Sequence, residues 1–198
     1  MTTSGRRRET AVRLRDAARD VFAKIGYANA RVEDIVSRAH VSHGTFYTYY
    51  DNKAAVLSDL VEAAAARLEQ VLAAPWEGPD VRAALERVIG EFLAVHADEA
   101  DVMRAWNEAG AVDADFATLR TELRAGFVEK VAANLAPVAE PGGHDPRAAA
   151  SALVAMVEGY ANEHLSGEAP REIVRTLAAI WYGGLLGLSD TTETYGGA

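Results

Sequence analysis

Between Ser42 and Tyr49 the chain reads SHGTFYTY, a run of hydroxyls, one imidazole and aromatic rings with no acid among them. Such groups suit hydrogen bonding to phosphates and base edges rather than bond-making chemistry. Gly44 lets the backbone approach a partner closely. Thr45 and Thr48 carry methyl groups that suit thymine methyls, and Tyr47 and Tyr49 add hydroxyls on aromatic bodies. Ser42 is placed to cap a helix through its hydroxyl, and His43 follows it. Asn52 and Lys53 open the next helix. Free backbone N–H groups beside a lysine make an anion site, here one for a phosphate.

The groups with catalytic chemistry are scattered. His96 to Glu99 (HADE), His144-Asp145 and Glu163-His164 are neighbours in sequence, and neighbours on a helix point apart. The chain has no E-x-x-H, no H-E-x-x-H, no G-x-S-x-G and no phosphate loop, so nothing marks a metal, a cofactor or a nucleophile. The expectation is a protein that is not an enzyme and holds no cofactor and no metal. A helical protein-interaction module is the second alternative, with an unrecognised helical active site behind it.

The elements that must position the SHGTFYTY run are legible around it. Val32, Ile35, Val36 and Ala39 repeat at the spacing of one helical stripe, with Glu33 and Asp34 in the first turn, where the helix dipole favours acids. A turn at AHVS follows. In the second short helix Phe46 and Tyr50 stand four apart and anchor one side, which leaves the other side to face outward. Leu14, Ala18, Val21, Phe22 and Ile25 give a longer bracing helix from about Glu9, ended by Gly26. Tyr27 is divided between a phosphate contact and core packing. Arg6, Arg7 and Arg8 are divided between an arm reaching DNA and a disordered, solubilising tail.

VSHGTFYTYYDNK, Val41 to Lys53, resembles the recognition-helix signature of the tetracycline-repressor (TetR) family of bacterial transcription regulators. The preceding VEDIVSRA, the Gly26-Tyr27 pair and the arginine-rich start also fit. The close likeness covers roughly residues 10 to 60. It implies an all-α fold of about nine helices, with an N-terminal three-helix helix-turn-helix DNA-binding domain and a C-terminal helical ligand-binding and dimerisation domain. It also implies a homodimer that binds a palindromic double-stranded DNA operator as a repressor and is released by a small-molecule effector. Three positions depart from the family pattern. Ala30 and Arg31 stand where Thr or Ser is usual, so that Arg31 would replace a hydroxyl's phosphate contact with a charged one, and His43 stands where lysine or glutamine is common. The DNA-binding set is therefore Arg31, Ser42, His43, Gly44, Thr45, Tyr47, Thr48, Tyr49 and Lys53. The functional boundary falls near Asp51, dividing residues 1–51 from residues 52–198.

Charge agrees with that division. Residues 1–60 hold 10 Lys/Arg against 7 Asp/Glu, whereas residues 61–198 hold 10 against 22, within a net charge of −9. The favourable field lies at the DNA end. A hydrophobic content of 49% with 25% charged residues is that of a soluble globular protein. Zero cysteines agree with a cytoplasmic location and exclude a disulfide framework. No apolar run reaches membrane-spanning length, and the start MTTSGRRRET has no apolar segment behind it, unlike a secretory signal.

Beyond Asp51 the periodicity predicts six further helices: Lys53 to about Leu72, Pro79 or Asp80 to about His96, Ala100–Ala109, Asp113 to about Leu135, Pro146–Leu165 and Pro170–Leu188. The last two are apolar on more than one side, which asks for a second partner or a deeper place in the core. Val154, Val157, Leu177, Ile180, Trp181, Gly184, Leu185 and Leu188 are the candidate dimer face. Phe92, His96, Met103, Trp106, Asn107, Phe127 and Tyr160 are candidates for an effector pocket of apolar walls with a few polar handles. Each of them suits ordinary core packing as well.

Overall fold

The computed structural model describes residues 3–76, 80–140, 143–164, 167 and 169–186. Among these the chain is all helical: α1 (Thr3–Ile25), α2 (Val32–Ala39), α3 (His43–Tyr47), α4 (Lys53–Ala73), α5 (Val81–Asp98), α6 (Ala100–Gly110), α7 (Ala114–Ala139), α8 (Pro146–His164) and α9 (Arg171–Leu186). No described helix is long and apolar enough to cross a membrane. Pro79, Leu165 and Leu188, from the helix boundaries and dimer face expected above, lie outside the described residues, as do Gly78, Pro141, Gly142, Gly187 and the tail TTETYGGA.

Two compact units result. One comprises Met1–Ala66 with Glu99–Glu122, the other Arg67–Asp98 with Leu123–Ala198. Compactness thus groups α6 and the start of α7 with the N-terminal segment, a division different from the boundary expected near Asp51.

In the first unit α1 packs on α2 and on α6, and α2 packs on α3. Leu14, Ala18, Val21 and Phe22 are buried on the inner face of α1. Ile25, expected beside them, is 39% exposed, because the helix ends there and Gly26 turns the chain away at φ 76°. Helix α1 also starts earlier than the periodicity suggests and carries Arg6 to Arg8 as helical residues rather than as an arm or a tail. The Tyr49 hydroxyl donates to the Arg7 carbonyl at 3.2 Å, tying this first stretch to the residues just after α3. Tyr27 is core: its ring is 6% exposed and lies 5.5 Å from Phe22 and 6.0 Å, edge-on, from Phe116. That placement removes its reading as a phosphate contact. Burial, and secondarily the charge of Asp113, push its hydroxyl above the ordinary tyrosine value.

In the second unit α5 packs on α9 and α8. Leu85, Val88, Ile89, Phe92 and Leu93 of α5 are buried, as are Leu153, Val154 and Val157 of α8. The carbonyl end of α4 is closed by Asn134 of α7, whose amide donates to the Leu72 carbonyl at 3.2 Å and accepts from the Trp76 N–H at 3.3 Å. Asp80 caps α5 by accepting from the Ala83 N–H at 3.0 Å. This is the capping expected at a helix start.

His96 is 7% exposed, and its Nδ1 has no hydrogen-bond partner among the described residues. Burial holds the imidazole below its ordinary value, opposed by a hydrogen bond with Asn162. In the unfolded chain His96 takes up a proton near pH 6.5, so falling pH favours the unfolded state. Stability is expected to be full above that pH and to decline below it, with a limiting slope for this one group of about 1.4 kcal/mol per pH unit. Urea unfolding between pH 7.5 and pH 5 should show a flatter decline in His96→Leu than in the native chain. Equal slopes would mean that His96 titrates alike in both states.

Candidate nucleic-acid interface

Helix α3 is only five residues long and weak in intrinsic propensity, so its geometry must come from its ends and its neighbours. Ser42 is its cap: the Oγ accepts from the Thr45 N–H at 3.1 Å and shares a 2.9 Å hydrogen bond with the Thr45 hydroxyl. Phe46 is fully buried beneath it. The Tyr50 ring lies 5.9 Å from that of Phe46, and its hydroxyl donates to Asp59 of α4 at 2.5 Å. Arg15 of α1 pairs with the same carboxylate at 3.7 Å. Burial and the Asp59 carboxylate together push the Tyr50 hydroxyl well above the ordinary range, so it remains a donor.

The turn before α3 is pinned from α1. His40 closes α2 in the left-handed conformation, φ 53°, which non-glycine residues seldom adopt. The Arg13 guanidinium donates to the Ala39 carbonyl and, at 3.1 Å, to that of His40. Arg38 of α2 reaches back to Asp20 of α1 with a 2.9 Å hydrogen bond from Nε. At the start of α2, where Ala30 has no capping group and is itself buried, Asp34 takes over by accepting from the Arg31 N–H at 2.9 Å. The Arg31 side chain stays exposed.

With the anchors inward, Ser42, His43, Gly44, Tyr47 and Thr48 are exposed, and Thr45 and Tyr49 are half-buried. Tyr47 is the most open of the large side chains here, at 56% exposure. Thr48 turns its hydroxyl back to the Gly44 carbonyl at 2.9 Å, which leaves its methyl as the contacting group. Tyr49 is engaged with Arg7, whose guanidinium stands 6.0 Å over its ring. A Cβ on Gly44 would meet only Ser42 Oγ, at 3.9 Å. The fold has room for a side chain there.

Lys53 lies differently from the expectation of a free phosphate ligand. Its Nζ donates to the carbonyls of Tyr27 at 2.7 Å and Ala30 at 2.9 Å, with a longer contact to Ala28 at 3.4 Å. It stands 4.4 Å over the Tyr27 ring, and burial lowers its pKa. An ammonium has three donors, and all three point at one turn. Glu108 of α6 serves the same turn from the other side, its carboxylate accepting from the N–H groups of Tyr27 at 2.7 Å and Ala28 at 3.4 Å. Glu108 and Arg13 have no local sequence signal. Their partners lie 81 and 26 residues away along the chain.

The pocket candidates fall in both units. Met103, Trp106 and Asn107 belong to α6 in the first, and Phe92, His96, Phe127 and Tyr160 to the second. Met103 and Phe127 are buried; Asn107 is exposed. Trp106 keeps its indole N–H buried without an acceptor among the described residues. Tyr160 is half-buried and stacks on His164 at 4.9 Å. Within the second unit a void of about 20 Å³ is lined by Val88, Ile89 and Phe92 of α5 and Leu153, Val154 and Val157 of α8, with Leu72 and Val131. Of the seven candidates only Phe92 lines it.

The dimer candidates divide as well. Val154, Val157 and Leu177 are 5%, 5% and 6% exposed within the single chain. They are spent on its own bundle, a correction to their expected place on a partner-facing surface. Ile180 is 58% exposed, Trp181 half-buried and Gly184 open. With Met156 and Ala152 they line a surface groove of about 400 Å³. Leu185 lies within α9.

Residues 14–60 match the bacterial regulatory proteins of the tetR family, and the chain belongs to that family of transcriptional regulators rather than to an enzyme family. Residues 79–186 match the C-terminal part of BetI-type transcriptional repressors. Among solved structures the chain is similar to GusR of Salmonella enterica, at 22% identity over 89% of this chain and 95% of that one, with a TM-score of 0.75. A transcriptional regulator from Rhodococcus sp. RHA1 is 25% identical over 89% and 96%, TM-score 0.73. The fatty acid degradation regulator FadR of Bacillus halodurans is 20% identical over 89% and 96%, TM-score 0.73. No curated protein matches the chain.

Two substitutions separate contact from support. Gly44→Ala should leave the fold as stable or more so, by up to about 1 kcal/mol from helix propensity. It should also weaken DNA binding about tenfold or more if the backbone comes close to the duplex; unchanged affinity in a mobility-shift titration would place Gly44 away from the groove. Lys53→Ala should cost about 1–3 kcal/mol of stability, the range for hydrogen bonds from a charged donor, and weaken binding on every DNA sequence. The slope of log affinity against log salt should stay as in the native chain, whereas a slope smaller by about one would put the ammonium on a phosphate.

Proposed function

We propose that the chain is a cytoplasmic repressor whose homodimer binds a palindromic double-stranded operator through α3 and leaves it when a small molecule occupies the C-terminal part. The observation that carries the reading is the outer face of α3: exposed, free of acids, and built on a glycine that the fold does not require. Ser42, His43, Gly44, Thr45, Tyr47 and Thr48 are the residues offered to the groove. Arg31 and the basic first turns of α1 meet phosphates, and Tyr49 holds those turns in place. Lys53 acts through the Tyr27–Ala30 turn.

Residues 1–51 then do the reading, while residues 52–198 hold ligand and partner. A five-residue helix presents few contacts, and two copies double them across half-sites about 34 Å apart, or somewhat more. The exposed groove at Met156, Ile180, Trp181 and Gly184 supports pairing through α8 and α9. The void beside Phe92, walled wholly by apolar side chains, supports an apolar effector that enters by displacing those side chains. A ligand that binds the DNA-free arrangement about a hundredfold better shifts the balance by about 2.7 kcal/mol.

The test is selection of bound genomic fragments by the purified protein, followed by release with candidate metabolites. Recovery of no enriched sequence would overturn the reading. Ile180→Glu is expected to give monomers in sedimentation at micromolar concentration and to weaken operator binding strongly. A dimer that persists in this variant would move the interface elsewhere.

A further inference from the structure

The C-terminal part of the chain is acidic, yet it gathers arginines at one place. Residues 61–198 contain only 10 Lys/Arg, and three of them, Arg87, Arg171 and Arg175, line a single groove of about 420 Å³ between α5 and α9. The groove has small residues along it, Gly90 and Ala94 on α5, and Val174 on α9; a Cβ on Gly90 would already stand 3.7 Å from Val174. Space therefore exists above the helix backbones rather than between bulky side chains.

Most arginines and the lysine of residues 61–198 have an acidic partner: Arg67 with Asp98, Arg82 with Glu86, Arg104 with Asp101, Arg124 with Glu158, Lys130 with Glu69 and Arg147 with Glu129. Arg171 and Arg175 have none among the described residues. Among the described residues Glu86 is the acid that lines the groove, and it accepts from Arg82 at 3.2 Å; Arg87 donates to the Pro75 carbonyl at 3.4 Å and lies 3.7 Å from Glu91. Arg171 and Arg175 also break two local rules. They are like charges four apart on one helix face, which repel, and they stand in the opening turns of α9, where the helix dipole disfavours cations. Placements that contradict local preference with no compensating contact are expected where a chain has a functional use for them.

We infer that the α5–α9 groove binds a small polyanion bearing phosphoryl or carboxylate groups, held by the guanidiniums of Arg87, Arg171 and Arg175. Guanidinium forks match both oxyanions with paired hydrogen bonds, and the groove has the size of small-molecule sites. Glu172 is the acid in the first turn of α9 and pairs with neither arginine, so the anion supplies the counter-charge that Arg171 and Arg175 lack. This site is separate from the apolar void beside Phe92 and does not depend on the repressor reading.

The test is calorimetric titration of the full-length protein with inorganic pyrophosphate and, separately, citrate at constant ionic strength. Saturable binding of either, with a dissociation constant of about 1 mM or tighter, is expected; which of the two binds better tells phosphoryl from carboxylate recognition. The double variant Arg171→Gln/Arg175→Gln should bind about tenfold more weakly or worse, since it loses two charged forks. Its melting temperature without ligand should be no lower than that of the native chain, because repulsion has been removed. No saturable binding of either probe up to about 10 mM, or equal binding by the double variant, would overturn the inference.

Discussion

The five-residue turn Gly26–Ala30 is the constraint on which the DNA-facing part depends. A turn that runs between two helices exposes backbone groups that need partners. Here two distant side chains supply them. Lys53 of α4 takes the carbonyls and Glu108 of α6 takes the N–H groups. Gly26 accepts the positive φ, and its missing Cβ leaves room for the Glu108 carboxylate, which would lie 3.0 Å from such an atom. The Tyr27 ring fills the space beneath, under the Lys53 ammonium. Helices α1, α2, α4 and α6 are thereby fixed to one another at a single turn, and α2 carries α3.

A helix as short as α3 cannot hold itself. Too few residues fix their own hydrogen bonds for α3 to persist alone. Its order is supplied by the Ser42 cap at one end, by Phe46 in the core and by the Tyr50–Asp59–Arg15 chain at the other end. Because these supports act on the inner side, the outer side is left to groups chosen for what they touch. Gly44 illustrates the separation: its φ is ordinary and its surroundings are open, so packing gives no reason for a glycine there.

The C-terminal unit solves a different problem. It has more apolar helix surface than one bundle can cover. Val154, Val157 and Leu177 are absorbed inside, while Ile180 and Trp181 remain at the surface. Charges there are mostly paired along and between helices, apart from the arginines facing α5 across α9. Apolar surplus on one side and unpaired cation on another are distinct demands. They call for different partners.

Much of this was legible in the residues alone. Helical periodicity defined the number and order of the helices, because the stripe of Val32, Ile35, Val36 and Ala39, and others like it, follow directly from 3.6 residues per turn. The glycine, hydroxyl and aromatic spacing of SHGTFYTY carried the exposed, acid-free face of α3, since a cap, an anchor and an outward side are all local matters. Tertiary structure decided what depends on neighbours distant in sequence. It turned Lys53 inward onto carbonyls and Tyr27 into the core, and it brought Glu108 and Arg13 to turns they do not adjoin. It made the Arg6–Arg8 stretch a helix braced by Tyr49, and it sorted the apolar residues of α8 and α9 into those that face in and those that face out. The physical reason is the same in each case. A side chain's type says which interactions it can make, but only the assembled fold says which partner lies within reach.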